Sequence, residues 1–240
     1  MKQLSLFLSC LILLTTVSCS YSSSNNQQTL VEPQKNVVLI HGILMNPIEM
    51  RYLGNQLEKS GFKVHYVFYQ SVLKTAAENA QAIHQKIQKL QLPDLHIVGH
   101  SLGGIITMHL LSQFDDIPAG RVVMLGSPVN GSWIAQKVQG WPVVSPLLAK
   151  SMPSALSGEN IPAWDNQREW GMIAGSKNSG LGLLTGGLPG AGDGTVLIEE
   201  TKHPKQTAHA VVNKSHTGLL FSKQVAKLTT QFLKTGSFEY

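Results

Sequence analysis

The sequence predicts an α/β protein with a mostly parallel sheet flanked by helices. Three observations predict it: short β-branched runs alternate with helical patterns, apolar residues make up 42 % of the chain, and charged residues make up 14 %. Strands with so few charges are typical of parallel sheets that are buried on both faces. Because strand and helix patterns alternate, we expect βαβ units. The length of 240 residues suits one sizeable domain.

Strands and helices are predicted in turn along the chain. Apolar runs predict strands at NVVLI (36–40), VHYVF (64–68), LHIVG (95–99), RVVML (121–125), MIA (172–174) and HAVVN (209–213). Helical spacing predicts one helix that starts at Ala76 and is ended by Pro93, one over Leu102 to Phe114, and a last one with an apolar stripe of Phe221, Val225, Leu228 and Phe232. Residues 126–169 break this rhythm with prolines and tryptophans, and we expect an insertion that forms a small cap on the domain.

The first residues are typical of an export signal. Lys2 is followed by an interrupted apolar stretch that is too short for a transmembrane helix. The stretch ends in TTVSC (15–19), which resembles a lipobox. We therefore expect a lipoprotein-type signal peptide over 1–18, lipidation of Cys19 and a flexible tether over 19–34. An ordinary signal-peptidase cut nearby is the alternative. The protein is then exported, to the periplasm or the outer membrane, where a lipid anchor holds it to the membrane.

Cysteine content and charge exclude several classes of site. Both cysteines, Cys10 and Cys19, lie in the leader, so the domain expected over 35–240 has no disulfide, thiolate metal site or cysteine nucleophile. The net charge is +5, but the positive residues are scattered, so we expect no nucleic-acid partner. No convincing cluster of metal ligands is present, and we expect neither a metal nor a cofactor.

The strongest motif is GHSLG, residues 99–103, between a predicted strand and a predicted helix. It is the G-x-S-x-G pattern in the strand–turn–helix context that gives the pattern meaning. Gly99 and Gly103 leave room for the backbone to pass closely, and the helix N-terminus favours developing negative charge. The motif predicts Ser101 as a nucleophile, with His100 as part of the same turn. A glycine-rich turn that merely packs tightly is the weaker alternative.

A second motif, His41 followed by Gly42, ends the first predicted strand. In α/β-hydrolases, backbone N–H groups from the loop after this strand and from the residue after the nucleophile bind the oxyanion of the reaction. In this sequence, those two N–H groups belong to Ile43 and Leu102. Both donors are backbone groups, so their side chains can be apolar.

A serine nucleophile needs a base, and His216 is the preferred histidine. It lies in the loop that enters the last helix, where this arrangement places its base. His203 and His209 are the weaker candidates, because they fall in a turn and at the start of a strand. The other histidines lie in strands, helices or the two motifs above: His41, His65, His84, His96, His100 and His109.

The acid that orients the base is expected between the nucleophile and the base in the chain. Asp193 lies in GAGDGTVL (190–197), after a predicted strand and 23 residues before His216. Glu199 and Glu200 are the alternatives. The remaining acidic residues end a helix or fall in or beside the insertion: Asp115, Asp116, Glu159, Asp165 and Glu169.

These stretches resemble α/β-hydrolases of the lipase and esterase type, in particular small bacterial lipase-like enzymes. The matching segments are VVLIHGI, GHSLGG, LGSPVNGS, GDGTV and SHTGLL, spread over residues 36 to 238. In that family a D-G-x-V segment carries the acid and an S-H-x-x-L segment carries the base, which again selects Asp193 and His216. The resemblance implies a serine hydrolase that acts on small-molecule or lipid esters through an acyl-enzyme. A thioesterase, an acyltransferase and a non-catalytic envelope lipoprotein are the alternatives, since one fold hosts many chemistries.

Overall fold

A six-stranded parallel sheet forms the centre of the protein. The computed structural model describes residues 34–142, 150, 155–165 and 167–239. The strands are β1 (Asn36–Ile40), β2 (Lys63–Val67), β3 (His96–His100), β4 (Val122–Leu125), β5 (Trp170–Gly175) and β6 (Ala208–Val212). Their spatial order is β2-β1-β3-β4-β5-β6, and all neighbouring pairs are parallel. The order reverses between β1 and β3, and parallel sheets bind ligands at the carboxyl ends of strands at such a point.

Helices cover both faces of this sheet. They are α1 (Arg51–Lys59), α2 (Ala76–Leu90), α3 (Leu102–Gln113), α4 (Trp133–Val138) and α5 (Lys223–Thr235). One-turn 3-10 helices lie at Pro47–Met50, Leu181–Thr185, Glu199–Thr201 and Thr217–Leu219. Apolar residues of α2, α3 and α4 pack into a core on one face, and those of α1 and α5 into a core on the other. The four central strands β1, β3, β4 and β5 are thus buried on both faces, as their lack of charged residues predicts, whereas the edge strands β2 and β6 are partly exposed.

Most predicted elements are observed, with small shifts at their ends, but the start of the last helix differs from the prediction. Phe221 precedes α5 and is 53 % exposed, so it is not part of the apolar stripe. The reason is the helix cap: Ser222 Oγ accepts a hydrogen bond from Val225 N at 3.3 Å and starts the helix after Phe221. Ala226 and Leu233 join the buried stripe instead.

The predicted insertion contains one described helix. Ile134 and Ala135 of α4 are buried in the same core as α2 and α3. The cap over 126–169 stays a prediction, because parts of it lie outside the described residues. The predicted signal peptide over 1–18, Cys19 and nearly all of the tether over 19–34 lie outside them too. Among the residues that are described, no helix is long and apolar enough to cross a membrane.

Candidate active site

Ser101 lies on a strained turn at the carboxyl end of β3. Its φ is 55° and its ψ is −123°, a conformation that is rare for a residue with a side chain and costs on the order of 1–3 kcal/mol. The turn is held in place because Ser101 N donates to Leu125 O of β4 at 2.9 Å. The residue is 7 % exposed. Strain of this kind is typical of a nucleophile turn between a strand and a helix.

The glycines around the serine allow α3 to pack directly on the strands. A Cβ at Gly103 would overlap the carbonyl oxygen of Ile40, the last residue of β1. A Cβ at Gly99 would lie 2.7 Å from the backbone of Gly103 and of Gly104, closer than carbon atoms tolerate. Neither position accepts a side chain without a shift of the backbone, which explains the glycine at each end of the motif.

The loop after β1 lies against this turn. A Cβ at Gly42 would lie 3.2 Å from Cβ of Ser101 and 3.1 Å from Nδ1 of His100. Leu44, two residues on, has a φ of 57°, and its N–H donates to Ser71 Oγ at 3.1 Å. Within the described residues, no hydrogen-bond acceptor is seen for the N–H of Ile43, which lies between them.

Leu102 begins α3, so its N–H is one of the unpaired donors at the helix N-terminus. The N–H of Leu102 also lacks an acceptor among the residues described. The two predicted oxyanion donors, on Ile43 and Leu102, therefore belong to a loop and a helix start that lie against each other, and neither has an acceptor among the described residues. Unpaired N–H groups are available to bind a developing negative charge.

His41 and Tyr69 pack against each other and support the loop after β1. The Tyr69 hydroxyl donates to His41 O at 2.6 Å, and the two rings are stacked with centroids 4.2 Å apart. Burial raises the pKa of Tyr69 well above its ordinary value, so the hydroxyl keeps its proton. His41 is fully buried, and burial lowers the pKa of its imidazole. The burial of His41 and its contacts with Tyr69 indicate a structural role in the loop.

Asp193 and His216 form a hydrogen-bonded pair. Asp193 Oδ2 lies 2.7 Å from His216 Nδ1, and the aspartate is 1 % exposed. The two backbones are joined as well, because His216 N donates to Asp193 O at 3.0 Å. The structure thus brings the predicted acid and the predicted base into direct contact.

The turn GAGDGTVL holds the carboxylate of Asp193 in a single orientation. Its Oδ1 accepts from Thr195 N at 2.9 Å and from Val196 N at 2.8 Å, which leaves Oδ2 for the imidazole. Gly194 has a φ of 90°, and a Cβ there would overlap the backbone of Ser179. Gly194 allows this tight turn, and two backbone N–H groups of the turn fix the orientation of the Asp193 carboxylate.

The two alternative acids are engaged elsewhere. Glu199 is exposed and pairs with Lys202 at 2.6 Å. Glu200 is buried; its Oε1 accepts from Trp133 N, at the start of α4, and its Oε2 accepts from Leu197 N at 2.8 Å. Burial raises the pKa of Glu200, and Asp193 raises it further, while these two backbone donors lower it. Glu200 therefore links α4 to the turn that carries the acid, a contact that sequence patterns did not predict.

The weaker candidate bases are also accounted for. His209 Nε2 lies 2.9 Å from Thr201 Oγ1, and the ring of His203 packs near that of Trp170. His84 pairs with Asp116 on the surface at 2.7 Å. None of these histidines is in contact with Asp193 in the described part of the chain.

The Asp193–His216 pair lies at the same end of the sheet as Ser101. Gly126 directly follows β4. A Cβ at this position would lie 3.0 Å from Asp193 Oδ2 and 3.2 Å from His216 Nδ1, so the pair lies close to the end of β4. Its neighbour Leu125 accepts the hydrogen bond from Ser101 N. The described residues hold no group of three or more histidine, cysteine or acidic side chains that could bind a metal.

Comparisons with known proteins agree with this architecture. Residues 31–124 match the family model described as "Putative serine esterase (DUF676)". No match was found among the curated proteins compared. Among solved structures, the mature lipase BlEst2 of Bacillus licheniformis is 19 % identical with a TM-score of 0.70, over 86 % of this chain and 94 % of that one.

Two further structures are similar to this chain. The metagenomic carboxyl esterase MGS0156 is 16 % identical with a TM-score of 0.59, over 76 % of this chain and 64 % of that one. The bromoperoxidase from Bacillus anthracis is 16 % identical with a TM-score of 0.57, over 83 % of this chain and 92 % of that one. These likenesses confirm the predicted α/β-hydrolase fold. Because a bromoperoxidase is among them, the fold alone does not define the reaction.

Proposed function

We propose that this α/β-hydrolase cleaves carboxylic esters by nucleophilic catalysis with Ser101, His216 and Asp193. The observation that carries the proposal is the 2.7 Å contact of the buried Asp193 with the partly buried His216, at the end of the sheet where Ser101 has a strained backbone. Nucleophile, acid and base then follow one another in the chain order of this fold. The match of residues 31–124 to a serine esterase family model supports the same reaction.

The first half of the reaction forms an acyl-enzyme. Ser101 Oγ attacks the ester carbonyl while His216 Nε2 takes the hydroxyl proton. Asp193 Oδ2 accepts a hydrogen bond from His216 Nδ1–H, fixes the tautomer that leaves Nε2 unprotonated, and stabilises the imidazolium that forms. His216 then gives its proton to the departing alcohol as the ester C–O bond breaks.

The second half releases the acid. A water molecule gives its proton to His216 and attacks the acyl group, and the proton returns to Ser101 as the acyl bond breaks. In both halves the N–H groups of Ile43 and Leu102 donate to the oxyanion of the tetrahedral intermediate. Their unpaired state in the structure supports this role, because preorganised donors need no rearrangement when charge develops.

Small-molecule or lipid esters are the proposed substrates. Leu44 in the loop after β1 and Ile48 in the 3-10 helix that follows are 58 % and 65 % exposed, so apolar surface follows directly on one of the proposed oxyanion donors. Such surface suits an acyl chain. Thioester hydrolysis and acyl transfer to an alcohol use the same machinery.

The test is hydrolysis of nitrophenyl esters of graded chain length by the wild type, Ser101→Ala and the matched control Ser112→Ala. Ser112 lies at the other end of α3, where its hydroxyl donates to His109 O at 3.1 Å. We expect the wild type and Ser112→Ala to be active and to be labelled by a fluorophosphonate at Ser101. Equal rates in the wild type and Ser101→Ala would refute the proposal. Thioester substrates and an added alcohol acceptor distinguish the alternative reactions.

We further propose that the protein is exported and anchored by lipid on Cys19, on the basis of the leader sequence. Mass spectrometry of the mature N-terminus tests this: a diacylated cysteine supports the anchor, and an unmodified N-terminus nearby indicates an ordinary signal-peptidase cut.

A further inference from the structure

A second imidazole lies beside the proposed base. His100, the last residue of β3, is 1 % exposed, and its ring centroid lies 4.7 Å from that of His216. His100 Nε2 lies 3.2 Å from the backbone oxygen of His216, across a sequence separation of 116 residues. The reaction steps proposed above make no use of this buried group.

This contact determines where the proton of His100 lies. A carbonyl oxygen only accepts hydrogen bonds, so Nε2 carries the hydrogen. Burial lowers the pKa of His100 well below its ordinary value, and the charge of His216 lowers it further, more than the hydrogen bond raises it. The ring is therefore neutral, its single proton is on Nε2, and Nδ1 is an unprotonated acceptor. Within the described residues Nδ1 is buried without a hydrogen-bond partner.

The ring is wedged between two parts of the candidate site. On one side a Cβ at Gly42 would lie 3.1 Å from His100 Nδ1, so the loop with the proposed oxyanion donor covers that nitrogen. On the other side Nε2 meets the backbone of His216. The ring of His100 thus packs against the loop at Gly42, and its Nε2–H donates to the backbone oxygen of His216.

His216 is held at three points, and they come from two different elements. Asp193 binds its backbone N–H and its Nδ1, and both of these contacts come from the acid turn. His100 binds its backbone oxygen, and this contact comes from the strand that carries Ser101. Because His100 and Ser101 are consecutive, one rigid strand end defines the position of both the nucleophile and the base.

We propose that His100 is a positioning residue that holds His216 at the correct distance from Ser101 through its Nε2–H. The proposal rests on the proposed function of these two residues. His100 takes no part in proton transfer, because its only proton is engaged by the carbonyl and its Nδ1 is covered by the loop at Gly42. A displacement of about 1 Å in such a group can reduce turnover about 100-fold.

The test compares His100→Phe, which keeps a ring of similar size without a donor, with His100→Gln, which keeps an N–H donor. We expect His100→Phe to lower kcat about 10- to 100-fold with little change in KM, and to slow fluorophosphonate labelling of Ser101 by a similar factor. His100→Gln is expected to restore most of both rates. Unchanged rates in His100→Phe, or equal losses in the two variants, would overturn the proposal.

His96→Phe is the matched control. His96 is at the other end of β3, is 4 % exposed, and accepts a hydrogen bond from Arg121 N at 2.9 Å. Burial lowers the pKa of His96 to about 4, so it is also a neutral, buried imidazole. We expect this variant to lose thermal stability without the loss of kcat. A fall in kcat as large as that of His100→Phe would mean that any damage to this strand has the same effect, and would overturn the proposal.

A measurement on the unmodified side chain covers the case in which His100→Phe fails to fold. In protein labelled with ¹⁵N-histidine, the signals lost in His100→Gln identify His100. We expect a protonated Nε2 and an unprotonated Nδ1 that do not titrate near neutral pH. A proton on Nδ1 would overturn the positioning role even if the wild type is active. A wild type that is inactive and unlabelled would instead refute the proposed function.

Discussion

Asp193 and His216 are joined twice, through Oδ2 and Nδ1 at 2.7 Å and through the backbone N–H of His216 and the carbonyl of Asp193 at 3.0 Å. The side-chain contact fixes the rotation of the imidazole, and the backbone contact fixes the loop that carries it. A base that is held in both ways loses little entropy when it aligns with a nucleophile. The roles of these two residues can therefore be tested by changes that leave the backbone contact intact.

Asp193→Asn is expected to lower kcat by about 10⁴-fold while the protein stays folded. The asparagine oxygen can still accept from Thr195 N and Val196 N, so the turn is preserved. Its amide then faces His216 Nδ1 as a donor, which favours the tautomer with the proton on Nε2, and Nε2 can no longer act as a base. Steady-state ester hydrolysis and thermal melting measure both effects.

Asp165→Asn is the control for this change. Asp165 pairs with Lys205 at 2.9 Å on the surface, and its side chain is 79 % exposed. We expect activity and melting temperature close to those of the wild type, since exposed ion pairs contribute little. Turnover near that of the wild type in Asp193→Asn would show that the aspartate only completes a turn.

Gly103→Ala is expected to destabilise the fold and to reduce activity. The added methyl group meets the carbonyl oxygens of Ile40 and His41, which belong to the backbone and cannot rotate away. Overpacking of this kind costs about 1–3 kcal/mol. Gly140→Ala is the control, because no atom of the described residues would lie within 4 Å of a Cβ at Gly140. Chemical denaturation measures the difference, and equal stability of the two variants would contradict the packing that we describe.

Local signals explain why much of this site could be predicted from sequence. Ser101 and its flanking glycines form one short motif, and the uncharged strands around it indicate their burial directly. The sequence alone leaves Glu199 and Glu200 as alternatives to Asp193, because all three lie in the same connection between strands and have the same charge. Only the contacts of Glu200 with Trp133 N and Leu197 N show that its oxygens are already engaged.

Other parts of the site depend on contacts between distant residues. His100 was predicted as part of the nucleophile turn, but its hydrogen bond to His216 spans 116 residues and has no sequence pattern. Tyr69 reaches back 28 residues to His41, and a tyrosine after a strand is ordinary. The contact of Tyr69 follows from the strand order, which places β1 beside β2, rather than from any local property of the chain.

Tyr69→Phe is expected to lower kcat about 2- to 10-fold, because it removes the hydrogen bond to His41 O that supports the loop with Ile43. The stacking on His41 remains, so the loss is smaller than that of a catalytic group. Tyr66→Phe is the control, since Tyr66 packs over Gly54 of α1 on the other face of the sheet. If both variants had the kcat of the wild type, the hydrogen bond would not be needed for catalysis.

Glu200→Gln is expected to change how stability depends on pH. Burial raises the pKa of Glu200 above its ordinary value of 4.5, so the folded state binds this proton more tightly than the unfolded state does. The ionised carboxylate therefore reduces stability above the folded-state pKa, and this cost disappears as the pH falls below 4.5. Compared with Glu200→Gln, which does not titrate there, the wild type should gain stability as the pH is lowered through this window. Melting temperatures of the two proteins between neutral and acidic pH measure the difference. A difference that stays constant, or that moves in favour of the glutamine variant in acid, would show that Glu200 is not held in a desolvated contact between α4 and the acid turn.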